Sequence, residues 1–364
     1  MRIDDYFSRF NGTLRAVLPS QKLRQPNPTL IGNVSVRFLT QSKDFIPEGK
    51  VFTLKDARLI GADGWVIGKR DTYLVDASFW GEAVLSGKPF EHPILRRHRP
   101  RPFRYLPGRT LSLASDFAVG GFGHFLHDSL TRLLLIQLAG YSLQDFDWVY
   151  LPRLRSPATD QLTAQLGIKP ERLLNFDPLH DLQCEELTAT NFPGRPCHIA
   201  PSYVEFIRTR FGPVPKKRDR RIHLSRTGAR RNYANPKEIL PLLEKYGFED
   251  VVPDRDPEIF QKCAEAEFIV SIEGANFINA VFSPSVTRAL IIFPDRGVDA
   301  PYALTLSESC GMTTFAICGE TIGPDSVDGG IANFHLDPSK FESALQLLLN
   351  PKANPQHSTS APAL

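Results

Sequence analysis

Residues 121–133 read Gly-Phe-Gly-His-Phe-Leu-His-Asp-Ser-Leu-Thr-Arg-Leu. The leucines at 126, 130, 133 and 134 recur at helical spacing, and glycines at 120, 121 and 123 come just before them. This pattern predicts a helix from about 124 to 139 that is entered from a glycine loop. The chain then alternates between a strand at 148–151, a helix at 158–166 and a strand at 172–176. The alternation favours an α/β fold with a parallel sheet.

A second alternation follows the stretch 213–219. It predicts strands at 221–225, 268–271 and 289–293 and helices at 236–246, 256–266 and 275–282. A chain of 364 residues exceeds the usual domain size of roughly 100–200 residues, so we expect two domains. The predicted division is an N-terminal domain over 1–205, a C-terminal domain over 206–345 and a disordered tail over 346–364.

The N-terminal domain has two further predicted features before the helix at 124. Residues 30–85 form a β-rich entry segment, because Val34, Val36 and Phe38 alternate with polar residues and a turn at 61–64 separates two extended runs. Residues 86–110 are rich in Pro and Arg, which predicts an ordered loop or linker.

The composition excludes some classes of protein. The chain is 42% hydrophobic and 23% charged, which is ordinary for a globular protein and excludes a fibre or a disordered chain. Its five scattered cysteines predict reduced thiols and not a disulfide scaffold. The acidic N-terminus and the absence of a long apolar run predict a cytoplasmic protein.

Basic residues cluster at 96–104 and at 216–231, although the net charge is only +3. Such clusters attract phosphates, anionic lipids or acidic polymers. Peripheral contact with the inner face of a membrane therefore stays open, and so does binding to nucleic acid. The second reading is the weaker one, because the clusters lack interleaved aromatic residues on which bases could stack.

The first candidate site lies on the helix predicted to begin at 124. On a helix, His124, His127, Asp128 and Thr131 stand at i, i+3, i+4 and i+7 and share one polar stripe. A carboxylate or an imidazole can take a proton from a reacting hydroxyl, so Asp128 and His124 are candidates for a general base.

Other interpretations of this helix remain open. Gly121 and Gly123 let the backbone approach a substrate closely. Asp128 could instead pair with Arg132 at i+4, which would make it a structural residue. A metal site on the two histidines and Asp128 is a further alternative, although three ligands on adjacent turns are uncommon.

The second candidate site is an arginine-rich turn at the end of a predicted strand. Ser225, Arg226, Arg230 and Arg231 follow the run at 221–224. Ligands of open α/β sheets bind past the carboxyl ends of the strands, where these cations suit a diphosphate. The alternative is a solvated basic turn.

The third candidate site is a strand, a small-residue turn and a helix over 270–282. Gly274 and Ala275 permit close approach at a helix N-terminus, which favours anions. Glu273 is suited to contact a sugar or ribose hydroxyl. The alternative is a tight turn that serves packing alone.

Taken in order, the three segments resemble glycosyltransferase family 61. The first family motif is matched by His124, Phe125, Leu126, Asp128, Leu130, Arg132 and Leu133. The second is matched by Leu224, Ser225, Arg226, Arg230, Arg231 and Asn235, and the third by Gly274, Ala275, Asn279 and Phe282. Gly121, Phe122, Pro236, Glu273 and Asn276 stand where the family usually has Asn, Tyr, Glu, His and Gly.

The resemblance covers about residues 55–300 and implies both a fold and an activity. The implied fold is GT-B, with two Rossmann-like domains around a cleft and the donor mainly on the C-terminal domain. The implied activity is an inverting, metal-independent transfer of a sugar from a nucleotide-sugar, UDP-linked, to a glycan or lipid-linked acceptor in polysaccharide or capsule biosynthesis. No cofactor is implied, and the sequence leaves the oligomeric state open.

The resemblance also implies roles for single residues. Asp128 would be the base, assisted by His124, with His127, Gly121 and Gly123 at the acceptor. Donor contacts would come from Ser225, Arg226, Arg230, Arg231, Asn235, Glu273, Gly274, Ala275, Asn276 and Asn279. Two alternatives remain: a degenerate member that binds a sugar nucleotide without transferring it, and a metal-dependent hydrolase.

Overall fold

The computed structural model describes residues 1–34, 45–78, 101–194, 198–296, 302–323 and 332–350. The chain forms two compact units. Unit 1 comprises Met1–Leu23 and Phe45–Phe211, and unit 2 comprises Arg24–Asp44 and Gly212–Leu364. The predicted strand around Val36 and Phe38, most of the Pro- and Arg-rich stretch and residues 351–364 of the predicted tail lie outside the described residues. Residues 346–349, which the prediction includes in that tail, form the last turn of the helix Pro338–Leu349, because Leu348 is buried against the unit.

The strands are numbered here in chain order. They are β1 Thr13–Leu18, β2 Gln21–Lys22, β3 Thr29–Ile31, β4 Phe45–Ile46, β5 Gly49–Ile60, β6 Trp65–Ile67, β7 Phe103–Ser112, β8 Trp148–Tyr150, β9 Leu173–Leu174, β10 Asp181–Thr190, β11 Arg220–Leu224, β12 Glu249–Val251, β13 Ala266–Ile272, β14 Arg288–Pro294, β15 Thr313–Thr321 and β16 Phe334–His335.

The helices are of three kinds. The α-helices are Ile3–Phe7, Phe122–His124, Arg132–Leu138, Pro157–Ala164, Pro201–Phe211, Pro236–Lys245, Ile259–Ala264, Tyr302–Ser309 and Pro338–Leu349, and Phe125–Leu130 is π-helical. The 3₁₀ segments are Lys69–Asp71, Val75–Ala77, Leu143–Asp145, Pro170–Arg172, Pro253–Arg255 and Ala275–Phe282. None of the described helices is long and apolar enough to cross a membrane.

Unit 1 is built on a mixed sheet with the strand order β1-β5-β10-β7-β8-β9. The pairs β10–β7, β7–β8 and β8–β9 are parallel, which confirms the predicted parallel arrangement around the helix Pro157–Ala164. The long strand β5 pairs antiparallel with β1, β10 and β6. The turn predicted at 61–64 connects β5 to β6 and is therefore confirmed.

The prediction of a loop or linker over 86–110 is wrong for its described part, because β7 is an interior strand of the sheet. A proline in an interior strand removes a ladder hydrogen bond unless a bulge accommodates it. Here Leu106 pairs with Cys184 and Arg109 with Glu186, so Pro107 and Gly108 form a bulge between them. Gly108 has φ +76°, a left-handed conformation that glycine adopts easily.

Unit 2 contains a sheet with the strand order β12-β11-β13-β14-β15-β16, and β3 pairs with β15. Strands β11 to β15 are parallel to one another, and a helix connects each to the next along the chain. Strand β16 pairs antiparallel with β15. Numbered from β11, their order is 2-1-3-4-5, one of the common doubly wound arrangements. The predicted α/β class is therefore confirmed, with parallel strands in both units.

Two details of unit 2 differ from the structure that the sequence predicts. Residues 29–31 form β3 beside β15 and belong with unit 2, although the predicted N-terminal domain includes them. Such pairing between distant segments leaves no local pattern in the sequence. The predicted helix over 275–282 has the expected bounds but is a 3₁₀ helix. Within it the Asn279 amide donates to the Asn276 carbonyl oxygen at 3.0 Å, a local bond that competes with regular helical bonding.

Candidate functional site

The helix that carries Asp128 has an irregular middle. It begins with the α-helical turn Phe122–His124, widens into the π-helical segment Phe125–Leu130 and continues as Arg132–Leu138. The predicted helix is thus confirmed in extent, and its inward face is anchored by buried leucines such as Leu126 and Leu130. π-Helical turns are rare and occur often at functional sites.

Asp128 and His124 form a close pair at this turn. His124 Nδ1 lies 2.7 Å from Asp128 Oδ2. The Asp128 side chain is 13% exposed and the His124 side chain 36%. Burial, with the nearby charge of Asp116, raises the pKa of Asp128 against the opposing effect of His124. Burial alone would lower the pKa of His124, but the Asp128 contact and the charge of Asp116 raise it.

A carboxylate with a raised pKa, held by an imidazole at the edge of solvent, suits proton abstraction.

Arg132 does not pair with the Asp128 side chain, so that alternative is wrong. Its Nε donates to the main-chain oxygen of Asp128 at 3.0 Å. Its two terminal nitrogens donate to the carbonyl oxygens of Thr190 and Ala77, each at 3.0 Å. Arg132 is buried, and burial lowers its pKa to about 10. It therefore binds the helix to the end of β10 and to the segment at residue 77.

The predicted polar stripe is divided by burial. His127 is almost fully buried and Thr131 is fully buried, and the Thr131 hydroxyl donates to the main-chain oxygen of His127. Burial and the charge of His124 lower the pKa of His127 to about 3, which keeps its imidazole neutral. The four residues predicted to share one polar stripe therefore differ in burial, because the π-helical turn changes the regular spacing of side chains.

The glycine loop lies against His124. Gly121 is in an extended conformation, and a Cβ atom there would lie 3.4 Å from His124 Cδ2. The Gly121 carbonyl oxygen accepts the Phe125 N–H at 3.1 Å. Gly123 lies half-buried in the first helical turn. Gly121 thus lies beside the imidazole of the pair, and its approach to a substrate stays a prediction.

Two residues beside this pair, Asp116 and Phe117, are not among the site residues predicted from the sequence. Asp116 is 2% exposed and accepts bonds from Trp65 Nε1 at 3.0 Å and Ser78 Oγ at 2.9 Å. The ring of Phe117 lies 5.2 Å from the ring of His124, centroid to centroid. The signal that could have found them is the single acid in the otherwise uncharged run 110–119.

In unit 2, the second and third candidate sites come together. The strand order reverses between β11 and β13, and open α/β sheets bind ligands at that point, past the carboxyl ends of the strands. Leu224 at the end of β11 is in register with Ser271 near the end of β13. Asn276 Nδ2 donates to the Ser225 carbonyl oxygen at 2.5 Å, so the two following turns contact each other.

Arg226 and Arg231 lie at this junction. Arg226 Nε donates to the Arg230 carbonyl oxygen at 3.1 Å, and Arg231 Nη1 donates to the Glu273 carbonyl oxygen at 3.0 Å. Gly274 has φ +137°, and a Cβ atom there would lie 2.5 Å from Arg226 Nη1. Burial and the charge of Arg231 lower the pKa of Arg226. Both arginines are half-buried, whereas Arg230 is exposed.

The remaining predicted donor residues have structural contacts. The Asn235 amide donates to the Leu336 carbonyl oxygen at 2.9 Å, and its oxygen accepts the Leu336 N–H at 3.1 Å. Asn279 is buried within the 3₁₀ helix. Ala275 is exposed beside Gly274. Of the predicted donor set, Asn235 and Asn279 are thus turned to the protein itself, whereas Ser225, Arg226, Arg231, Gly274 and Asn276 meet at one place.

Glu273 is 2% exposed, and its carboxylate accepts the Ala303 N–H at 3.0 Å, at the start of the helix Tyr302–Ser309. Burial raises its pKa to about 7, although the Ala303 bond and the charges of Arg231 and Arg226 oppose that shift. The Glu273 carboxylate therefore caps a helix. The sequence predicts a different role for it, contact with a sugar or ribose hydroxyl.

We expect Glu273→Gln to stabilise the protein above pH 7. A carboxyl whose folded pKa exceeds its unfolded pKa binds more protons in the native state, so stability falls as pH rises from about 4.5 to about 7. The amide oxygen of Gln can still accept the Ala303 N–H. The difference should be roughly 1–3 kcal/mol at pH 8 and near zero at pH 4. Thermal unfolding of both proteins across this pH range measures it, and parallel pH profiles would contradict it.

Among the residues that the structure describes, no group of three or more His, Cys, Asp or Glu side chains could hold a metal ion.

Residues 122–290 match the family model Glycosyltransferase 61. This segment begins at the helix of Asp128 and His124 and ends within β14, so it includes all three candidate sites. A search of curated proteins gives no match. Residues 122–290 therefore form a glycosyltransferase family 61 segment, and this match supports transfer of a sugar from a donor to an acceptor.

Proposed function

We propose that this protein is an inverting glycosyltransferase that moves a sugar from a UDP-linked donor to a hydroxyl of a glycan or lipid-linked acceptor in a single displacement, without a divalent metal. The observation that carries the proposal is the largely buried Asp128–His124 pair, at 2.7 Å, within the segment that matches the family. Polysaccharide biosynthesis on the cytoplasmic side of a membrane is the setting that we propose for it.

In the proposed reaction, Asp128 takes the proton of the acceptor hydroxyl while that oxygen forms a bond to the anomeric carbon. The bond between this carbon and the diphosphate oxygen breaks in the same step, which inverts the configuration. His124 holds the carboxylate in place through its contact with Oδ2. The raised pKa of Asp128 supports this role, because a stronger base takes a hydroxyl proton more readily.

The leaving nucleoside diphosphate carries the negative charge that develops in this step. We propose that Arg226 and Arg231, with the turn at Gly274, neutralise it. Fixed guanidinium groups can replace a divalent cation at such a site, because they are in place before the charge develops. Both arginines are held by hydrogen bonds to main-chain oxygens, which supports a preorganised site.

The proposal keeps the GT-B class that the resemblance implies. The 2-1-3-4-5 strand order of unit 2 supports it, since doubly wound sheets of this order bind nucleotides at their reversal point. The exposed basic residues at 216–218 support a peripheral contact with anionic lipid.

A binding screen tests the donor half of the proposal. The purified protein is titrated with a panel of UDP-, GDP-, CMP- and dTDP-sugars, with and without EDTA, and heat of binding is measured. We expect a UDP-sugar to bind with an affinity that EDTA leaves unchanged. Binding that EDTA abolishes would contradict metal independence, and binding of another nucleotide class alone would contradict the UDP assignment. Donor binding without transfer to any acceptor or to water would favour a degenerate member.

A further inference from the structure

We propose that Phe117 is the platform on which a sugar ring of the acceptor lies, with the apolar face of that ring against the phenyl group. The inference rests on the proposed function, since it takes Asp128 as the base that acts on the acceptor hydroxyl. The juxtaposition that carries it is an exposed aromatic ring, fixed in an unfavourable backbone conformation, 5.2 Å from the ring of His124.

The backbone of Phe117 is strained. Its φ is +65°, in the left-handed region that side chains larger than glycine avoid. Asn or Gly would occupy this position at lower cost, whereas a bulky aromatic residue is a clear exception there. Strained residues of this kind collect at ligand-binding sites, where the surrounding structure enforces them.

The surrounding structure does enforce this conformation. The Phe117 N–H donates to Asp63 Oδ1 at 3.1 Å, and its carbonyl oxygen accepts the Gly120 N–H at 2.9 Å. The preceding residue, Asp116, is anchored by Trp65 and Ser78. The position of the ring is therefore set by β6 and by the turn that precedes it, and not by burial of the ring itself.

Phe117 is 43% exposed, although most phenylalanines in this protein are buried. The ring of Phe117 lies beside His124, and His124 contacts Asp128. The distance from a sugar ring on Phe117 to the proposed base is therefore no more than the length of one sugar unit. The C–H groups on one face of a pyranose carry partial positive charge and suit the negative face of an aromatic ring. The hydroxyls at the rim of the sugar then point towards His124 and Asp128.

Three variants separate this role from a structural one. Phe117→Gly removes the ring and relieves the backbone strain, Phe117→Leu keeps apolar bulk without an aromatic face, and Phe117→Trp keeps the face. The probes are the methyl β-glycosides of glucose, galactose, mannose and xylose, observed by saturation-transfer difference NMR. Thermal unfolding is recorded for each variant.

We expect saturation transfer from the wild-type protein to the C–H protons of one glycoside face. The Gly and Leu variants should reduce it three- to tenfold, roughly the aromatic preference of such contacts, and the Trp variant should retain it. Phe117→Gly should unfold at the same or a higher temperature than wild type. A lower melting temperature with unchanged saturation transfer would overturn the proposal, as would wild-type protein that binds none of the glycosides.

The same variants distinguish failure of the inference from failure of the proposed function. If wild-type protein transfers sugar and the Leu variant does so with unchanged acceptor KM, the inference is wrong and the function stands. If glycosides bind at Phe117 but no transfer is detected, sugar binding at Phe117 stands, whereas its role as an acceptor site fails together with the proposed function. A signal that depends on Phe117 from a Ser- or Thr-containing peptide, with none from glycosides, would overturn the assignment of a sugar.

Discussion

Asp128→Asn should reduce sugar transfer by about 10²–10⁴-fold, the usual contribution of a general base, while donor affinity changes less than about twofold. Asn has the shape of Asp but cannot take a proton at neutral pH. Its amide oxygen can still accept a hydrogen bond from the His124 imidazole, which lies 2.7 Å from the carboxylate in the wild-type protein. Initial rates of transfer and calorimetric titration of the donor measure the two effects.

The matched control is Asp160→Asn, the same change at a partly exposed acid on another helix of unit 1. It should leave transfer within about twofold of wild type, as surface substitutions usually do. The pH profile gives a second test, because burial raises the pKa of Asp128 and the base acts only when ionised. Transfer by the wild-type protein should fall as pH falls through that raised pKa. Full activity of the Asn variant would rule out Asp128 as the base.

Arg226→Ala should weaken donor binding by about ten- to a hundredfold and lower kcat as well. A hydrogen bond or ion pair to a charged group contributes roughly 1.5–3 kcal/mol, and 1.4 kcal/mol corresponds to a factor of ten. The guanidinium is half-buried next to Arg231 and Gly274, so water screens it less than it screens a surface charge. Calorimetry with UDP and with the UDP-sugar identified in the screen measures the affinity, and steady-state rates measure kcat.

The control for Arg226 is Arg218→Ala, which removes the same charge at an exposed position in the same unit. It tests whether donor affinity depends on net charge or on the junction of the two turns. We expect it to change donor affinity by less than about twofold in ordinary salt. Equal losses in the two variants would contradict a specific diphosphate site at Arg226.

Much of unit 2 could be predicted from the sequence, because its strands are buried on both sides and appear as continuous apolar runs. The runs within β13 and β14 are of this kind, and both strands were predicted within two residues of their observed ends. The amphipathic helix Pro236–Lys245, which begins with a proline in its first turn, was predicted as closely. In such segments, hydrophobic pattern and terminal signals are local properties that the fold does not overrule.

Elements that depend on distant partners could not be predicted in this way. The composition of the segment around Pro107 favours a loop, yet β10 and β8 pair with it and a bulge accommodates the proline. Strand β3 forms because its residues pair with those of β15. No local sequence pattern predicts either pairing, because hydrogen bonds between residues far apart in the sequence stabilise both strands.

The sequence by itself determined which side chains are candidates for the chemistry: Asp128 with His124 four residues before it, and an arginine turn after a buried strand. Only the tertiary structure decided how they are used. Burial separates His127 and Thr131 from the other residues of the polar stripe. Arg132 donates to main-chain oxygens, and the Glu273 carboxylate accepts a hydrogen bond at the start of a helix. The tertiary structure also places Asp116 and Phe117 beside the Asp128–His124 pair. The physical reason is that desolvation and hydrogen-bond partners depend on which surfaces meet, whereas residue type and spacing do not.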